Sequence, residues 1–175
     1  MMKEMNNINC SDLRKKISLK GIKILIIDDD SELSNSIKFY FDDQYASVYC
    51  ASNGQKGLNL FYEINPDIVL LDLNLPVIGG TAVIKEINRK SPDLPIIVIS
   101  GTAIVQEAVT SLKAGAWDFI SKPITNLEEL ELCVLKSLDR VANMKNDKRY
   151  KESLEKNIEE LTEEFYRKIE QLFNK

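Results

Sequence analysis

Histidine is absent from the sequence. This removes the commonest general base and metal ligand, and the chain cannot itself carry a phosphohistidine. Cysteine is scarce: Cys10, Cys50 and Cys133 are odd in number, far apart and without a CxxC pair. Neither a disulfide framework nor a zinc site is expected from them, only ordinary buried or half-buried thiols. No apolar run approaches the roughly 18 residues that a membrane span requires. The first residues, MMKEMNNINCSDLRKK, are polar and lack the apolar core of a secretory leader, so a cytoplasmic location is expected. A net charge of −4 argues against non-specific nucleic-acid binding by the whole chain, and no helix-turn-helix pattern or basic recognition helix is evident. Glycine and proline are both missing from Ile124 to Lys175.

What is present begins as an alternation. KILIID (23–28), ASVYCAS (46–52), DIVLLD (67–72), PIIVIS (95–100) and WDFIS (117–121) read as short buried strands. Helical spacing lies between them. Leu33, Ile37 and Phe41 follow a possible Ser31 cap, and Leu58, Phe61 and Ile64 share one face. Val83, Ile84 and Ile87 point inward, and residues 103–115 end at Gly115, a suitable C′ residue. Gly57 inside its helix should cost about 1 kcal/mol against alanine. Pro123 stands where the last helix could begin. Five strand–helix pairs in strict alternation call for a parallel sheet covered on both faces, and right-handed crossovers favour an open, doubly wound sheet. The functional crevice of such a sheet lies at the C-terminal strand ends.

Those ends carry chemistry. Asp28, Asp29 and Asp30 follow the first strand, and Asp72 ends the third. Ser100 ends the fourth, and Lys122 follows the fifth. Clustered carboxylates repel unless a cation neutralises them, and hard oxygen ligands suit Mg²⁺. Acids, a hydroxyl and an ammonium at one edge are fitted to phosphoryl transfer, where positioning and charge neutralisation do most of the catalysis.

IIDDD, LLDLNLP, SGT and SKP, in this order and at strand ends, resemble the response regulator receiver (chemotaxis-regulator-like) family of two-component systems. The resemblance covers residues 22 to about 143. It implies a flavodoxin-like, five-stranded parallel sheet spanning 21–143, after a polar extension (1–20) and before a helical coiled-coil linker (144–175). It also implies that Asp72 accepts a phosphoryl group from a sensor histidine kinase or phosphotransfer protein. Asp29 and Asp72 would ligate Mg²⁺ (or Mn²⁺) together with the backbone carbonyl of Asn74, while Asp28 acts directly or through the metal's water shell. Lys122 would pair with the phosphoryl oxygens, Ser100 would move to bond them, and Phe119 would turn inward as the aromatic switch, where a tyrosine is common. Asn74 and Thr102 occupy the positions that tune phosphoryl lifetime. Gly79 and Gly80 stand where the family usually has an acid before a glycine, so a looser loop is expected. On this reading the chain is a phosphoacceptor and not an enzyme in the ordinary sense.

The switching surface implied is the face of helix 4, strand 5 and helix 5, here with Val105, Val109 and Leu135. Beyond it, Leu154, Ile158, Leu161, Phe165 and Leu172 recur at spacings of four, three, four and seven, a coiled-coil seam weakened by Lys168. Homodimerisation through that face and seam is expected, passing the signal to an output domain or partner. Two other readings compete. Asp28 and Asp30 could serve a haloacid-dehalogenase-like phosphatase, although Glu32 is unusual there and LLDLNLP goes unexplained. A receiver-like module could also act without phosphorylation. A flavin site lacks its glycine-rich phosphate cradle.

Overall fold

A computed structural model describes the backbone at residues 10–101 and 105–173, with side chains at 13–101, 107–159 and 162. The elements are α1 (Cys10–Lys16), β1 (Lys23–Ile27), α2 (Ser31–Asp42), β2 (Ser47–Ala51) and α3 (Gly54–Ile64). They continue as β3 (Ile68–Leu71), α4 (Gly80–Lys90), β4 (Ile96–Ser100), α5 (Val105–Ala114), β5 (Asp118–Ser121) and α6 (Leu127–Phe173). The five strands form one sheet, ordered β2-β1-β3-β4-β5, with every neighbouring pair parallel. Strand order reverses at β1, which places the ligand crevice at the ends of β1 and β3.

The continuous apolar strands are explained by burial on both faces. Ile24 and Ile26 join Ile37, Phe41, Leu130 and Val134 on one side, while Leu25 and Ile27 join Phe61, Val83, Ile84 and Ile87 on the other. Side chains alternate across a strand, so each run supplies both cores in turn.

Local sequence sets the helix ends. Asp30, not Ser31, caps α2: its carboxylate accepts the N–H groups of Glu32 and Leu33, both at 3.0 Å. Asn53 caps α3 through the Lys56 N–H at 2.9 Å. Pro123 does not start the last helix. Asn126 accepts the Glu128 N–H at 2.8 Å, and α6 begins at Leu127. Gly115, at φ +109°, ends α5: its N–H reaches the Leu112 carbonyl, and the Ala116 N–H reaches that of Ser111. This double bond pattern satisfies carbonyls the helix leaves open.

Within the expected polar extension, residues 10–20 take part in the fold. Helix α1 lies within them, and Leu13 and Leu19 are buried in the core shared by α2 and the start of α6. Arg14 donates from both Nε and Nη2 to Glu131, a carboxylate with no exposed surface. The Tyr40 hydroxyl donates to the same group at 2.7 Å.

By its packing the chain separates into two units between Asp139 and Arg140, about one turn before the expected boundary. In the second unit Met144, Tyr150, Leu154 and Ile158 are exposed. The remaining seam positions, Leu161, Phe165, Lys168 and Leu172, lie outside the described side chains.

Candidate functional site

β1 and β3 bring their terminal acids together through register. Ile27 pairs with Leu71, and the Asp72 N–H donates to the Ile27 carbonyl at 2.9 Å. Asp28 is fixed on its other side by its N–H to the Ala51 carbonyl. Asp28 and Asp72 are both buried, whereas Asp29 is exposed. One carboxylate oxygen from each of Asp28, Asp29 and Asp72 lies within 4.8 Å of the others. Three hard anionic oxygens so spaced fit one small divalent cation with room left for water.

β5 delivers the cation of the chain itself. Ser100 pairs with Ser121, and the Lys122 N–H donates to the Ser100 carbonyl at 2.9 Å. The Lys122 ammonium then bridges both buried acids, 2.8 Å from Asp28 Oδ2 and 2.7 Å from Asp72 Oδ2. Burial pushes the Asp28 carboxyl above its ordinary value, and the neighbouring Asp72 charge adds to this against the hydrogen bond from Lys122. Burial works against the Lys122 charge, but hydrogen bonds to Asp28 and Asp72 outweigh it and raise the ammonium above its ordinary value.

The loop after β3 is held tightly, contrary to the looser loop expected from Gly79 and Gly80. The Asn74 N–H donates to Asp72 Oδ1 at 3.0 Å, and the Gly80 N–H to the Leu73 carbonyl at 3.0 Å. A Cβ at Gly80 would stand 2.4 Å from the Asp72 carbonyl oxygen, so a glycine permits this approach. At its tip the Ile78 N–H reaches back to the Pro76 carbonyl, leaving Val77 at φ +71° and 80% exposed.

Among the other residues singled out from the sequence, Ser100 has no exposed surface, and Phe119 is half-buried against the core of Val83 and Ile84. Thr102 and the Val105 side chain lie outside the described residues. Leu135 was expected on the switching face but is fully buried, because α6 buries a broad stripe that includes Leu130, Val134 and Leu138. Val109 and Leu112 are partly exposed on α5. The Asp30 carboxylate is committed to the α2 cap, which removes the acid the phosphatase reading needs. Sequence reasoning missed the Arg14–Glu131–Tyr40 group and a cleft beside Asn74 lined by Glu107.

Comparison with known proteins agrees with this geometry. The family model of the response regulator receiver domain matches residues 24–134. Regulatory protein AtoC of Escherichia coli (strain K12) is 35% identical over 128 residues, 73% of this chain and 27% of AtoC. The chain therefore spans about a quarter of that relative. The CheY-like receiver domain protein from Methanospirillum hungatei JF-1 superposes with a TM-score of 0.68 at 28% identity, covering 71% of this chain and 99% of that one. NtrX from Brucella abortus gives 0.69 at 26% identity, covering 73% of this chain and 29% of NtrX. With this sheet order, its acids at the switch point and a family match over most of its length, the chain belongs to the response regulator receiver domain family of two-component systems.

Proposed function

We propose that Asp72 is the phosphoacceptor of this receiver, and that it takes the phosphoryl group from a phosphohistidine of a sensor kinase or phosphotransfer protein. An Asp72 carboxylate oxygen attacks phosphorus, the P–N bond breaks, and its electron pair leaves with the donor imidazole. The observation that carries this reading is the Lys122 ammonium seated against Asp72 beside three acids suited to a divalent cation. Mg²⁺ (or Mn²⁺) held by Asp28, Asp29, Asp72 and the Asn74 carbonyl would supply the charge neutralisation that phosphoryl transfer requires. Lys122 would pair with the phosphoryl oxygens. Ser100 is buried and its own carbonyl anchors the Lys122 N–H, and with Phe119 its hydroxyl would relay the change toward α5, β5 and α6. Asn74 and Thr102 would set the phosphoryl lifetime. Incubation with acetyl phosphate and Mg²⁺, followed by mass spectrometry, should add one phosphoryl group at Asp72. Asp72→Asn should abolish the addition; label on another aspartate, or none, would refute the proposal and favour a module that acts without phosphorylation.

The output proposed is homodimerisation of a cytoplasmic regulator. Val109 and Leu112 are partly exposed on α5, and Leu154 and Ile158 are exposed on α6 four residues apart, as one turn of a seam requires. Light scattering with and without beryllofluoride should show a dimer that strengthens with the phosphoryl mimic. A strict monomer under both conditions would remove this part of the reading.

A further inference from the structure

At the tip of the loop that follows Asp72, the backbone of a valine takes an unfavourable form. Tyr45, Asn65 and Val77 are the described non-glycine residues with positive φ, and of these Val77 alone is β-branched. Asparagine enters this region readily, and the Asn65 N–H closes α3 on the Phe61 carbonyl, so Asn65 has a plain structural use. Val77 ends no helix. At φ +71° it is the middle residue of a three-residue turn closed by the Ile78 N–H on the Pro76 carbonyl at 2.9 Å, the rare and strained form of such a turn. Its side chain is 80% exposed, so packing within the chain does not offset the strain. Pro76 beside it is exposed too, whereas Leu75 is buried in the core and anchors the loop. Strain of this kind gathers at sites that bind or react, where a residue has a task outside the fold.

The place of Val77 in the chain says what that task is. Gly80 is packed against Asp72, where a Cβ would stand 2.4 Å from the carbonyl oxygen. The three residues of chain from Gly80 back to Val77 reach at most about 11 Å. A protein that brings a phosphohistidine onto Asp72 covers about 800 Å², a disc about 16 Å in radius, and so spreads over this loop. A small donor such as phosphoramidate has no surface to lay there. We propose that Val77 is a specificity-determining contact for the phosphodonor protein, seated against apolar side chains of that partner. This rests on the reading of Asp72 as phosphoacceptor. The close approaches at Gly54 and Gly80 hold the loop at both ends, so the contact is presented in a fixed place and docking loses little conformational freedom there.

The experiment gives the full chain two donors that share a P–N bond. Phosphoramidate with Mg²⁺, followed by mass spectrometry, supplies the phosphoryl group without a protein surface. The protein probe is a histidine kinase autophosphorylated with ³²P-labelled ATP, taken from the kinases of the same genome as the one that labels the parent chain fastest. Val77→Asn and Val77→Gly suit the positive φ but remove the apolar contact. Both should lower kcat/KM for transfer from the kinase about tenfold, the loss expected from leaving one valine side chain unburied, and mainly through KM. Val77→Ile keeps the contact and should transfer at close to the parent rate. Labelling by phosphoramidate should match the parent in all three, and Val77→Asn should melt no lower than the parent. A merely structural role for Val77 would slow both donors alike. Kinase transfer to the Asn and Gly variants as fast as to the parent, or equal slowing with both donors, overturns the assignment of Val77 and leaves Asp72 as acceptor intact. So does a parent labelled at Asp72 by phosphoramidate and by no kinase. Failure of the parent to take a phosphoryl group on Asp72 from either donor overturns both readings.

Discussion

Replacing Arg14 with methionine tests how far the first twenty residues belong to the folded domain. Glu131 has no exposed surface, and its ion pair comes from a helix 117 residues away in sequence. Burial pushes the Glu131 carboxyl upward, yet the hydrogen bonds from Arg14 and Tyr40 overcome this and hold it below its ordinary value. Removing one partner of a fully buried pair costs about 3–5 kcal/mol. The Arg14 side chain is 46% exposed, so water screens part of the interaction. With that discount the expected loss is about 2 kcal/mol. For a chain of this size the melting temperature should fall by roughly 4–8 °C. Arg14→Met combined with Glu131→Leu should recover most of the loss, because an apolar pair needs no desolvated charge. Thermal melts followed by circular dichroism, with urea titrations, of the parent, each single variant and the double variant give the four corners of the cycle. A folded-state value below the unfolded one, 4.5, means that the pair stabilises above that pH and that its contribution fades as pH falls through the lower folded value. The parent should therefore lose its advantage over Arg14→Met only in acid. A single variant within about 0.5 kcal/mol of the parent, or a double variant as weak as the single, would refute the reasoning.

Three glycine and loop substitutions extend the test. Gly57→Ala should gain about 1 kcal/mol of helix propensity but lose more to overpacking, since the new methyl would stand 2.5 Å from Ile27 Cδ1; urea titration should find a net loss of about 1 kcal/mol. Gly80→Ala places a methyl against backbone at Asp72 and Leu73, and should cost about 1–3 kcal/mol while slowing label uptake from acetyl phosphate. Val77→Asn should raise stability by about 1 kcal/mol, because asparagine tolerates the positive φ that strains an exposed β-branched residue; an unchanged or lower melting temperature would count against strain at that turn.

The acid edge was legible because Asp28, Asp72 and Ser100 each close an apolar run. Ile24–Ile27, Ile68–Leu71 and Ile96–Ile99 are fully buried, so the first polar residue after each marks the sheet's C-terminal edge. The helix faces followed from spacing for the same reason: Val83, Ile84 and Ile87 are all without exposed surface. What stayed hidden depends on distant partners. Arg14 is one cation in the run Arg14–Lys16, and nothing in the sequence pairs it with Glu131. Leu13, Ile17 and Leu19 are scattered among polar residues over a stretch too short to show a period. Gly57 reads as a weak helix residue until Ile27 is seen beneath it, and Leu135 reads as surface until the width of the α6 stripe is known.

The loop from Leu73 to Gly79 is clamped at both ends. Gly54 lets the Ile78 carbonyl approach to where a Cβ would be 2.2 Å away, and Gly80 does the same for the Asp72 carbonyl. One lip of the acidic pocket is therefore pinned by two close backbone approaches, with Val77 exposed at its tip. Side-chain variety that distinguishes one regulator from its paralogues can be placed at position 77 without moving the aspartate it guards.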